Sequence, residues 1–314
     1  MQIFNTETTR KALGFRPLIA QLGTTFAKGC EVPLRHTHRI DVPDGVQGTV
    51  LIMPAWQPGA YLGIKTVNIF AGNSARGLPG LHSTYVLYDA STGRPLAQLD
   101  GDEITSRRTA AASALAARWL AREDARRLLV VGAGRVASLL PDAYRAVRPI
   151  EDVAVWSPRS ASADALVTRL RADGIAAHAV TDLAQAAAQA DIVSCATLAT
   201  EPVVRGEWLR PGSHLDLIGS FTPQMREADD ACFAGARLFV DTDEALQKSG
   251  ELLGPMSRGV FAASDVVATL AELCRGTSSG RRDASERTVF KSVGTALEDL
   301  AAATLVYETA DAAQ

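Results

Sequence analysis

Cysteine is sparse and scattered in this 314-residue chain: Cys30, Cys195, Cys232 and Cys274 form no C-x-x-C pair. That spacing argues against a disulfide-stapled fold or a zinc site and fits a reducing compartment. Long hydrophobic runs are missing too, for no apolar stretch approaches the roughly twenty residues of a membrane span. The opening Met1-Gln2-Ile3-Phe4-Asn5 does not read as a signal peptide, so a cytoplasmic protein without membrane attachment is expected. Nor does one charge dominate. The formal net charge is −3, and basic pairs such as Arg107-Arg108, Arg126-Arg127 and Arg281-Arg282 are dispersed. No bulk drive toward nucleic acid follows. His36 and His38 would share one face of a strand, but no third ligand is near, so no metal is expected.

What is present is 47% hydrophobic content over a length that suits two domains. The N-terminal third reads as α+β. A helix is expected from Pro17 to Phe26 with Gly29 as its stop, then strands at Thr49–Met53, Tyr61–Ile69 and Ser83–Tyr88. Turn residues Ala90 to Gly93 mark a hairpin, and Ser106 to Arg122 is alanine-rich and helical. From Leu128 the chain alternates. Strands at 128–131, 153–156, 176–180, 192–196, 215–218 and 238–240, most of them separated by helical stretches, predict an open, doubly wound parallel sheet. Val289, Phe290, Val293, Leu297, Leu300 and Thr304 recur at helical spacing, which predicts a last helix that packs on the N-terminal domain.

One loop carries a chemical signature. The apolar run Leu128–Val131 ends in Gly132-Ala133-Gly134-Arg135-Val136-Ala137, a strand, a tight glycine turn and a helix start. Such a turn cradles a dinucleotide pyrophosphate: Gly132 permits the bend, Gly134 lets backbone approach phosphate, and small Ala137 lets helix pack on strand. Pro141 should kink or shorten the helix that follows. At the end of the second strand, where a carboxylate would select NAD, Ser157, Arg159 and Ser160 stand instead, and no acid appears before Asp164. NADPH is therefore expected, with NADH as the alternative. Ala196 and Thr197 end the fourth strand and should form a wall of the same site. In the N-terminal third, Arg35, Lys65 and Arg108 are the cationic candidates; Lys65 is out of place in an apolar strand.

Met53-Pro54-Ala55, Gly63-Ile64-Lys65-Thr66-Val67-Asn68, Thr109-Ala110-Ala111, Val131-Gly132-Ala133-Gly134 and Val289-Phe290-Lys291-Ser292-Val293-Gly294 together resemble the ornithine cyclodeaminase/μ-crystallin family. The resemblance runs from about Val32 to the last helix. It implies a homodimer, with a Rossmann-type domain (107–284) inserted into a discontinuous α+β dimerisation and substrate domain (1–106 plus 285–314). It also implies that Arg35 and Arg108 hold a substrate carboxylate and that Lys65 is the active-site lysine. Arg135, Val136, Gly219 and Ser292 would lie against the cofactor; read by its residue type alone, Ser292 is the N-cap of the last helix, and the two roles can coexist. Val136 departs from the glutamine common in the family.

Family membership leaves the reaction open among cyclodeaminases, alanine dehydrogenases, ketimine reductases and a small-molecule-binding lens protein. Aligned on Gly219 and Pro223, Phe221 occupies the position of the aspartate that handles ornithine's distal amine. A buried ammonium left without its partner costs on the order of 3–5 kcal/mol. The implied substrate is thus a small cyclic imine carrying a carboxylate, Δ1-pyrroline-2-carboxylate or Δ1-piperideine-2-carboxylate, with Phe221 as an apolar wall. Asp216, on the preceding strand, is expected to be structural.

Overall fold

The computed structural model describes residues 1–43 and 45–311, which fall into two compact units: Met1–Arg108 with Thr295 onward, and Thr109–Gly294. The first unit begins with β1 (Gln2–Phe4), α1 (Thr6–Ala12) and α2 (Phe15–Lys28). It continues with β2 (His36–Ile40), β3 (Gly48–Trp56), β4 (Tyr61–Ile69), β5 (Leu81–Asp89) and β6 (Pro95–Asp100). These strands form one sheet in the order β1-β6-β5-β4-β3-β2, antiparallel except for the β1–β6 pair. Alternation sorts its side chains. Gly63, Lys65 and Val67 of β4 are buried, whereas Ile64 and Thr66 between them are half-buried. The β5–β6 hairpin turns through Gly93 at φ +72°, and the Asp89 carboxylate accepts the N–H groups of Ser91 and Thr92.

α3 (Gly101–Leu120) runs across the division, and then come β7 (Arg127–Val131), α4 (Leu140–Arg145), β8 (Asp152–Trp156) and α5 (Ser160–Ala172). Next are β9 (Ala177–Ala179), α6 (Leu183–Gln189), β10 (Ile192–Cys195), β11 (His214–Leu217) and β12 (Arg237–Val240). The unit ends with α7 (Ala245–Lys248), α8 (Gly250–Ser257), β13 (Val266–Thr269), α9 (Leu270–Arg275) and β14 (Thr288–Lys291). Its parallel sheet has the order β13-β12-β14-β11-β10-β7-β8-β9. The chain builds outward from β7 to β9 and then crosses to β10 on the other side. The reversal between β7 and β10 is where such sheets open a ligand crevice at their carboxyl ends. β10, β11 and β14 are buried along their whole length, since a parallel strand covered on both faces has no solvent side, and their polar side chains Ser194, His214, Asp216, Thr288 and Lys291 find hydrogen-bond partners inside the unit.

Three expectations change here. Val289 and Phe290 belong to strand β14, not to the last helix, because β14 pairs with β11 on one side and β12 on the other. The helix, α10 (Ala296–Asp311), starts later, and the return to the first unit falls at 294/295 instead of 284/285. α10 packs on β3, β4, β5 and α2. Ser292 therefore caps no helix; its N–H extends the β11 ladder to Leu217 O at 3.2 Å. After the glycine loop, a 3-10 turn at Ala137–Leu139 leads into a six-residue α4 with Pro141 in its first turn. There the missing N–H costs little.

Candidate active site

Lys65 is the pivot of the first unit. On the buried side of β4 its ammonium would be isolated among apolar neighbours, but α10 brings a carboxylate to it: Lys65 Nζ lies 2.6 Å from Asp299 Oδ2. The side chains are 2% and 0% exposed. Arg108, from α3, places Nε 3.0 Å from Asp299 Oδ1 and pairs through Nη1 with Glu298. Two cations thus face two carboxylates with little water to share. Burial lowers the Lys65 pKa from its ordinary value; Asp299 opposes that fall and Arg108 adds to it. Burial also works against the Arg108 charge, yet Asp299 and Glu298 outweigh it and raise its pKa. Thr105 Oγ1, one turn before Arg108 on α3, lies 3.4 Å from Lys65 Nζ.

Tyr85 is the direct cross-strand partner of Lys65 and lies on the same face. Its hydroxyl is buried without a hydrogen-bond partner, and a Cβ on Gly63 would fall 1.8 Å from it. Glycine at 63 is what makes room for the ring. Burial, with the negative charge of Asp299, holds this phenol well above its ordinary pKa. Arg35 precedes β2, whose first residue His36 pairs with Ile52, while Met53 pairs with Lys65. Arg35 itself is half-buried and lies outside the strand. No ion pair engages Arg35 among the described residues.

The second unit carries the glycine loop at the carboxyl end of β7. Gly132 has φ +122°, and a Cβ there would meet Ala196 O at 2.5 Å, so the loops after β7 and β10 touch through a glycine. Gly134 is exposed, with nothing within 4 Å of where a Cβ would stand. That open backbone fits a pyrophosphate. Arg135 is exposed, Val136 half-buried and Ala137 fully buried against the sheet. Ser157 is half-buried after β8, and Arg159 and Ser160 are exposed beside it. On the other side of β7 lie half-buried Ala196 and Thr197, and buried Gly219 and Ser292.

A family model, the ornithine cyclodeaminase/mu-crystallin family, matches residues 17–314. The chain belongs to that family. It is 47% identical over 263 residues to a Delta(1)-pyrroline-2-carboxylate reductase of Paracoccus denitrificans, covering 82% of this chain and 83% of that one. A structure of Thermococcus litoralis Delta(1)-pyrroline-2-carboxylate reductase, in complex with NADH and L-proline, superposes with a TM-score of 0.91. The two are 33% identical, over 100% of this chain and 98% of the other. An archaeal alanine dehydrogenase dimer with bound NAD gives 0.90 at 30% identity, over 100% and 97%.

Phe221 lies in the loop after β11, and its N–H bonds to Gly219 O at 3.1 Å. Its side chain is 50% exposed. Asp216 points into the core, where Ser113 Oγ, Tyr144 OH and Ser194 Oγ donate to it. Burial raises its pKa to about 6 against those three donors. It ties α3 and α4 to the sheet, as a structural aspartate should. Ser220 through Arg226 contain no acid, and the next one, Glu227, is already committed to backbone N–H groups.

Glu298 and Asp299 were not among the sequence candidates. Adjacent acids in the first turn of a helix read as dipole complements facing water. The available signal was their setting, since Leu297 and Leu300 to Ala303 are apolar around them. Tyr85 and Gly63 were missed because a tyrosine in a strand and a glycine beside it have ordinary packing roles.

Proposed function

We propose that this protein reduces a cyclic ketimine carboxylate, Δ1-pyrroline-2-carboxylate to L-proline or Δ1-piperideine-2-carboxylate to L-pipecolate, with NADPH preferred to NADH. The buried Lys65–Asp299–Arg108 cluster, in a chain with a dinucleotide loop, carries this reading. A bound nicotinamide supplies the hydride. Lys65 Nζ gives its proton to the imine nitrogen, which makes the neighbouring carbon cationic and electrophilic. Asp299 keeps Lys65 charged until then, and Tyr85, neutral throughout, does not compete for the proton. Arg35 and Arg108 hold the substrate carboxylate. Arg108 is oriented for this by the two acids on its Nε and Nη1.

Phe221 and the absence of a free acid between Ser220 and Arg226 favour ring methylenes over a second ammonium. NADPH preference rests on Ser157, Arg159 and Ser160, which offer donors and a cation to a 2′-phosphate where an acid would repel it. The similarity to an alanine dehydrogenase solved as a dimer supports a homodimer. Four free thiols fit the reducing cytoplasm.

The test is direct. Purified protein is mixed with each imine and NADPH or NADH, nicotinamide oxidation is followed, and the amino acid formed is identified. Ammonia release from L-ornithine without net nicotinamide consumption would reverse the assignment to cyclodeamination. A higher kcat/KM for pyruvate with ammonia would replace the ring by an open-chain substrate.

A further inference from the structure

Glu227 is buried in the second unit and has no part in the chemistry proposed above, yet it touches both loops on one side of the dinucleotide crevice. Its Oε1 accepts the Thr197 N–H at 2.7 Å and the Thr197 hydroxyl at 2.8 Å. Its Oε2 accepts the Gly219 N–H at 2.7 Å. Thr197 follows β10 and Gly219 follows β11, so one carboxylate clips the two loops together. The fit is close: a Cβ on Gly219 would lie 1.9 Å from Thr197 O and 2.5 Å from Glu227 Oε1. Glu227 is itself held from behind, because the Glu251 carboxylate accepts the N–H groups of Glu227 and Ala228 at 2.7 and 2.9 Å. Lys291, whose Nζ donates to Leu217 O at 2.9 Å, supplies the compensating charge.

In a sheet of this order the glycine loop after β7 takes the pyrophosphate and the β8 side takes the adenosine. The loops after β10 and β11 then face the nicotinamide half. We propose that Glu227 is a positioning residue for the nicotinamide end of the cofactor: it sets the spacing of the Thr197 and Gly219 loops. This rests on the dinucleotide reading of the site. A mere fold-stabilising glutamate would support both halves of the cofactor equally, whereas Glu227 acts on one.

The discriminating pair of ligands is NADH and ADP-ribose, which lacks the nicotinamide. In Glu227→Gln the amide oxygen can keep the Thr197 contacts, but its NH2 then faces the Gly219 N–H, donor against donor. The expected result is a Kd for NADH raised roughly tenfold or more, the loss of one charge-assisted bond, with the ADP-ribose Kd unchanged. If Glu227→Gln melts too low to assay, Thr197→Val removes the hydroxyl bond to Oε1 and should show the same split at smaller size. Equal weakening of both ligands, or no weakening of NADH, overturns the proposal. Failure of the wild-type protein to bind either ligand would instead refute the dinucleotide site, and this inference with it.

Discussion

Asp299→Asn keeps the shape of the side chain and removes the charge that Lys65 and Arg108 share. Wild-type protein sets these two cations against two carboxylates; the variant leaves Glu298 alone to face both. Breaking a buried pair in this way costs about 3–5 kcal/mol. For a unit of this size that is a loss on the order of 10–20 °C in Tm. Lys65 can recover part of the cost by giving up its proton, because burial and Arg108 already press its pKa down and only Asp299 and Glu298 hold it up. An opposite charge in contact is worth about 1–3 pKa units. Reduction of an imine needs that proton, so the rate holds below the Lys65 pKa and falls above it. The alkaline limb of the kcat–pH profile should therefore move about 1–3 pH units toward acid. The assay is steady-state imine reduction across the alkaline range, with thermal melts run in the same buffers. A folded variant whose alkaline limb stays in place would refute the reasoning, since the group lost at high pH would then not be Lys65.

Gly132→Ala should raise the cofactor Kd by roughly tenfold or more, because φ +122° strains any side chain and the new methyl meets Ala196 O; titration with NADPH reads this. Arg159→Ala should raise the KM for NADPH by about tenfold and leave that for NADH unchanged; equal KM changes for the two cofactors would remove the 2′-phosphate role. His214 is buried, with Nδ1 2.9 Å from Thr288 Oγ1, and burial lowers its pKa from 6.5 to about 3. Between those values the unfolded chain binds a proton that the folded one refuses, so this residue's contribution to stability is complete above about pH 6.5 and is lost as pH falls toward 3. The slope is about 1.4 kcal/mol per pH unit. Denaturant midpoints of His214→Gln should accordingly vary less with pH between 6 and 4 than those of the wild type.

The glycine loop, the antiparallel strands and the parallel sheet were legible because each depends on local rules: a turn that only glycine allows, and short runs rich in β-branched and aromatic residues bounded by turn residues. β14 was not. Thr288-Val289-Phe290-Lys291 is buried on both faces, so it lacks the alternation that marks a half-exposed strand, and Leu297 and Leu300 beyond it supplied a false helical period. Lys65 stood out as a charge in an apolar strand, but its partner lies 234 positions away. No local pattern links the two.

The order of residues alone determined that this chain has a glycine turn after an apolar strand, no acid between Trp156 and Asp164, and the cations Arg35, Lys65 and Arg108 in its N-terminal third. Those are statements about short segments, in which backbone freedom and residue chemistry suffice. Folding decided which charges meet. α10 brings Asp299 and Glu298 onto Lys65 and Arg108, and the loop after β11 brings Glu227 between Thr197 and Gly219. Charge strength in a dry interior depends on what packs against it, and that is a property of the assembled core.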